Sequence, residues 1–122
     1  MQGMSEAPDA RVRRLCMTFP EAFEKEAWGA PTYRAGTKGK MFATFSNDHH
    51  GDGHVSVWMP APTGMQQVLV SGEPKRYFRP AYVGPRGWIG VVLSRSSDDE
   101  ILAHLREAFL MVATKRLARE LE

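Results

Sequence analysis

The stretch TYRAGTKGKMFATFSNDHHGDGHVSVWM, residues 32–59, decides the fold class. It reads as three short strands. Thr32 to Ala35 comes first, and Gly36-Thr37-Lys38-Gly39 supplies a turn. Lys40 to Phe45 then alternates, with Met41, Ala43 and Phe45 on one side and Phe42 and Thr44 on the other. Alternation with a period of two is the mark of a half-buried strand. Asn47 to Gly53 is a polar, glycine-containing hairpin tip, and His54 to Met59 alternates again. Consecutive strands joined by short turns predict an antiparallel meander.

Outward from this centre, the chain turns helical on both sides. Val12, Leu15, Cys16 and Phe19 recur at i, i+3, i+4 and i+7, one apolar helix face, with Pro8 in its first turn and Pro20 ending it. Glu21 to Pro31 reads as a loop, broken by Gly29 and Pro31, with Trp28 folding back onto the core. Beyond Pro60 and Pro62, Met65, Val68 and Leu69 stand at helical spacing, and Gly72 suits the helix stop. Residues 73–88 hold a short strand at best, and Trp88 to Leu93 is a β-branched strand.

Ser97-Asp98-Asp99-Glu100 is a capping box, and the apolar positions from Ile101 to Val112 follow a helical stripe. Lys115, Arg116 and Arg119 are expected near the C-terminal end of that helix, where the dipole favours cations. The order is helix, three strands, helix, one or two strands, helix. That is α+β, an antiparallel sheet with helices packed on one face. No βαβ alternation points to a dinucleotide-binding sheet.

The chain has 122 residues, a length that fits one domain over residues 8–122 behind a flexible segment 1–7. A single cysteine, Cys16, excludes an intramolecular disulfide framework. Its place on the apolar stripe marks it as inert filler. The N-terminus has no signal-peptide pattern, and no apolar run reaches the roughly 20 residues of a membrane helix. The expected setting is cytoplasmic, without a membrane partner, and the expected state is a monomer.

Net charge is +2 but unevenly spread. Residues 32–95 carry eight Lys/Arg against three Asp/Glu, while the segments on either side are mildly acidic. Such asymmetry suits an anion-binding face.

Three groups of residues could carry chemistry. Arg79-Pro80-Ala81-Tyr82-Val83-Gly84-Pro85-Arg86-Gly87-Trp88 interleaves cations, aromatics and glycines. Arginine binds phosphate bidentately, aromatic faces stack on bases, and glycine lets a backbone approach an anion. Arg34, Lys38, Lys40, Lys75 and Arg76 could extend this into a basic face. The same loop is equally readable as structural, with Tyr82 and Trp88 as anchors. Gly84-x-x-Gly87-x-x-Gly90 precedes a strand and so is no dinucleotide fingerprint. Asp48, His49, His50, Asp52 and His54 have metal-binding chemistry, yet their spacing matches no ligand pair. We assign no metal and no cofactor. Ser56 and Ser71 lie outside any nucleophile elbow, so no catalytic residue is assigned.

The ordered set Phe19-Pro20-Glu21, Trp28-Gly29-Ala30-Pro31, Lys40-Met41-Phe42-Ala43, Tyr82-Val83-Gly84, Arg86-Gly87-Trp88-Ile89-Gly90 and Ala113-Thr114-Lys115-Arg116-Leu117 resembles the MmcQ/YjbR family of small bacterial proteins. The resemblance covers roughly residues 8–120. It implies an α-β(3)-α-β(2)-α fold similar to secretion-chaperone-like and CyaY-like architectures. It also implies DNA binding through two wing-like β segments. The tip Asp48 to Gly53 is longer and richer in histidine than the family pattern.

The residues expected to meet a nucleic acid or other ligand are Arg34, Lys38, Lys40, Trp58, Arg79, Tyr82, Arg86 and Trp88. DNA is the first partner considered. A protein or small anionic ligand is the alternative, and an enzyme of unknown type the third. A flat basic surface would favour DNA. An apolar groove lined by Trp28, Trp58 and Trp88 would favour a ligand-binding adaptor.

Overall fold

The computed structural model describes residues 6–48 and 51–121. Residues 1–5, His49, His50 and Glu122 lie outside them, and with them most of the N-terminal segment and two of the three histidines of the hairpin tip.

The elements run α1 (Pro8–Cys16), β1 (Ala22–Ala27), β2 (Ala30–Ala35), β3 (Lys40–Asn47), β4 (Val55–Met59), α2 (Met65–Gly72), β5 (Tyr77–Phe78), β6 (Ile89–Val92), α3 (Asp98–Val112) and α4 (Lys115–Arg119). Single 3-10 turns stand at Gly84–Arg86 and Leu93–Arg95. All six strands join one antiparallel sheet in the order β1-β2-β3-β4-β6-β5. The fold is α+β, as the sequence predicts.

The predicted three-strand meander is β2, β3 and β4, but the stretch read as a loop contains a fourth strand, β1. Its sequence, AFEKEA, has no apolar alternation because it pairs on one side only and stays largely in solvent. Charged side chains on an edge strand block pairing with other chains, so Glu24, Lys25 and Glu26 mark an edge. The helix expected through Arg119 also divides. Ala113 is extended, and Thr114 caps a separate α4 by accepting a hydrogen bond from the Leu117 amide. Lys115 therefore opens α4, and does not close α3.

One face of the sheet carries the core. Phe19, Phe42 and Phe109 meet with ring centroids 5.1–5.7 Å apart, joining the turn after α1 to β3 and α3. Val12, Leu15, Ile101 and Leu105 complete the helix side, against Val57, Met59 and Val91 from the strands. Cys16 is fully buried there, and burial pushes its thiol pKa well up, consistent with inert filler. At the polar edge, the Arg11 guanidinium donates to Asp98 (2.7 Å) and to the Leu93 and Ser96 carbonyls. This cross-brace fixes α1 against the start of α3, where the predicted capping box is present.

Strand register decides what the other face presents, since directly opposed residues point the same way. Arg34 stands opposite both Phe23 and Met41, Thr44 opposite Thr32 and Trp58, and Gly90 opposite Trp58 and Phe78. Met41 reaches this outer face because β3 bulges. Tyr33 pairs with Ala43 but Arg34 with Met41, which leaves Phe42 as the extra residue. The strict alternation predicted for β3 is thus broken. Phe42 joins the core, and Met41 turns away from Ala43 and Phe45.

Candidate functional site

Among the described residues the helices pack against the core side of the sheet, and part of the outer face is enclosed by two other segments. The β1–β2 hairpin rises at one side and the segment 79–88 at the other. Between them lies a cleft of about 570 Å³. Met41, Thr44 and Ser46 of β3, Trp58 of β4 and Trp88 line it. Ala27, Trp28 and Ala30 contribute from the hairpin, and Ala81, Tyr82, Val83 and Arg86 from the opposite segment. No carboxylate lines it among the described residues.

Each wall has a local cause. Trp28 and Gly29 are the two central residues of the hairpin turn, both with positive φ (54° and 77°). Two left-handed residues match the twist of a two-residue hairpin. The opposite wall is held from beneath by Gln66 of α2. Its amide Nε2 donates to the carbonyls of Gly84 (2.8 Å) and Trp88 (2.6 Å). Arg79 lies along the same segment. A Cβ on Gly84 would stand 2.7 Å from Arg79 Cγ, so any larger residue there would push the exposed Arg79 side chain aside. The Arg86 guanidinium sits 5.9 Å from the Trp88 ring centroid, within cation–π range.

The aromatics divide by depth. Trp58 and Trp88 are each 5% exposed, and the Trp58 indole N–H donates to Ser56 Oγ (3.0 Å). Trp28 is 83% exposed and Tyr82 79%. Trp28 therefore does not fold back onto the core, as the sequence led us to expect. The positive-φ turn projects it into solvent at the cleft edge.

Of the eight residues singled out in the sequence, Trp58, Tyr82, Arg86 and Trp88 meet in this cleft. Arg34 lies beside it, across the ladder from Met41. Its guanidinium donates to Thr32 Oγ1 and to the Gly39 carbonyl, both at 3.1 Å, so it partly serves the β2–β3 turn. Lys38 is exposed in that turn, and Lys40 opens β3 opposite Ala35, away from the lining. Arg79 is exposed outside the lining.

None of these five cations is ion-paired among the described residues, whereas Arg76 is taken up by Glu100 (2.6 Å) and Glu73 (3.5 Å). The mid-chain cations thus flank the cleft more than they pave a surface. Trp28, Trp58 and Trp88 do line one groove, the arrangement named in the sequence for a ligand-binding adaptor. Trp28 was not among the eight residues expected at the site, and sequence reading gave no sign of Met41, Thr44, Ser46 or the Gln66 brace. The dipeptide Trp28-Gly29, read as a two-residue hairpin turn, would have exposed Trp28.

Among the described residues, no group of three or more His, Cys, Asp or Glu side chains is placed to hold a metal ion. No helix among them is long and apolar enough to cross a membrane.

Fold and site together define a one-sheet α+β protein with helices on one face and a ligand-sized aromatic cleft on the other. Residues 17–111 match the family model described as YjbR, and the chain belongs to the YjbR family. No curated protein matches it. The crystal structure of Deinococcus radiodurans protein DR2400, described with the family-model domain DUF419, is similar in fold. That similarity covers 90% of this chain and 84% of the other, with a TM-score of 0.71 at 18% identity.

Proposed function

We propose that the protein binds a nucleotide unit, a planar ring carrying a nearby negative charge, in the aromatic cleft on the outer face of its sheet. The observation that carries this reading is the composition of the lining among the described residues: three tryptophans and a tyrosine, one arginine and no carboxylate. A volume of about 570 Å³ lies within the usual range for small-ligand sites. Base–aromatic stacking contributes roughly 1–3 kcal/mol per base. Arg86 adds a guanidinium that pairs bidentately with phosphate, and Arg34 is one ladder position further on.

The unit comes either from a free nucleotide or from a single strand. A duplex keeps its bases stacked inside and offers the cleft only phosphates. The wing-like duplex binding implied by the family resemblance therefore draws less support from this geometry than single-strand binding does.

Titration of intrinsic tryptophan fluorescence separates these cases. Nucleoside 5′-monophosphates, the single strand dT10, and dT10 annealed to dA10 are compared at 50 and 200 mM salt. Saturable quenching by dT10 or by the monophosphates, weaker for the duplex, is expected. Absence of saturable quenching by all three up to millimolar concentration would remove the reading.

A second reading is favoured by the apolar character of the floor, where Met41, Trp58 and Trp88 outweigh one cation. Here the cleft takes an apolar side chain from a protein partner. Quenching by uncharged indole that matches dT10 and ignores salt would select it.

A further inference from the structure

We propose that Trp28 and Tyr82 are the residues that grip the ligand ring, each from a backbone conformation that is costly for a bulky side chain. Resting on the nucleotide reading, this adds which residues make the stacking contact and how they can be recognised.

Four non-glycine residues have positive φ among those described: Glu21, Trp28, Asp48 and Tyr82. Asp48 and Glu21 are polar residues tied to the fold by hydrogen bonds or ion pairs. Asp48 belongs to a residue type that tolerates the left-handed region, and its carboxylate accepts from the Gly53 amide. Glu21 is anchored twice, through Arg116 (2.8 Å) and through its carbonyl, which accepts from the Gly36 amide.

The other two are bulky aromatics at φ 54° and 64°. Left-handed backbone is unfavourable for a residue with a Cβ, and more so for a bulky one. Burial of the side chain is the usual compensation, yet both residues are largely exposed, Trp28 at 83% and Tyr82 at 79%. Trp28 also occupies the first central position of a two-residue hairpin turn, where asparagine, aspartate or glycine fits best.

Strained backbone that burial does not offset concentrates at functional sites. Both residues line one cleft from different segments, the β1–β2 turn and the segment before Gly84. Large, exposed aromatic faces at the edge of an apolar cleft suit a planar ring. Trp58 and Trp88, being buried, shape the floor beneath it.

The test reads stability and binding in the same variants. Thermal unfolding of the intact chain is followed by circular dichroism. Binding of fluorescein-labelled dT10 is followed by anisotropy, with unlabelled nucleoside monophosphates as competitors. Trp28→Asn and Tyr82→Asn are each expected to raise Tm by about 2–6 °C while weakening binding by roughly 10-fold or more. Trp28→Phe keeps a ring and the strain, so it should retain most of the affinity with an unchanged Tm.

A Trp28→Asn variant that binds like wild type, or that melts lower than wild type, would overturn the proposal. Wild-type protein that binds neither dT10 nor a nucleotide removes the underlying reading and this proposal with it. Wild-type binding that survives both asparagine substitutions removes the grip alone.

Discussion

Gly90 and Phe78 show how closely the outer face is fitted. A Cβ at Gly90 would lie 2.4 Å from the Phe78 ring, which itself stacks on His54 at 4.3 Å. Gly90→Ala therefore forces the ring aside. Overpacking of this kind costs about 1–3 kcal/mol, which chemical denaturation would show as a lower midpoint at unchanged slope. Gln66→Ala leaves the Gly84 and Trp88 carbonyls without their donor, and the loss of roughly 1–2 kcal/mol should accompany weaker dT10 binding.

His104 lies on α3, on the helix-bearing side of the same β5 edge. Its Nε2 meets the Tyr77 hydroxyl at 2.7 Å, and burial holds its pKa below the ordinary 6.5. A histidine depressed in the folded state binds its proton more readily when unfolded. Its stabilising contribution is present above pH 6.5 and is lost as pH falls from there toward the folded value. Urea melts at pH 7.5 and 5.5 should show that loss, and His104→Gln should remove it. An identical pH dependence in the variant would assign the effect to other groups. At this scale the sequence already named Trp58, Arg86 and Trp88, because aromatics and cations announce themselves by type. Trp28 was named only for the alternative groove and was expected to fold onto the core, because its exposure depends on the sign of one backbone angle.

Elements were legible where burial imposes a period. Helix α3 carries an apolar stripe and a capping box, and both are present in the structure. Ser97→Ala should destabilise by about 1 kcal/mol, measurable as a shifted denaturation midpoint, and should leave ligand binding unchanged. Strand β1 was not legible, since an edge strand facing water has no period to show. The bulge at Phe42 was hidden for a related reason: Met41, Phe42 and Ala43 are all apolar, so the pattern hides which one is extra. That bulge matters to the site. It turns Met41 outward onto the cleft floor while Phe42 stays with Phe19 and Phe109 in the core. Deleting Phe42 should damage both faces together.

Across the whole molecule, the sheet separates two tasks. Its inner face holds helices α1 and α3 through an apolar core, and its outer face is left to the cleft. The basic middle of the chain does not become a uniform basic surface. Arg76 is consumed by Glu73 and Glu100, Arg34 partly by the β2–β3 turn, and Arg86 alone lines the cleft. Net charge by segment could not reveal this, because pairing is decided by tertiary neighbours. The central claim is that ligand occupies the outer face between Trp28 and Tyr82. Nitrogen-15 chemical-shift mapping during titration with dT10 tests it directly. The account predicts that the indole N–H signals of Trp28, Trp58 and Trp88 shift together, along with the amides of residues 81–88, while α1 and α3 stay still. Shifts confined to the helical face, or to the Lys38–Lys40 turn with the indoles unmoved, would contradict it.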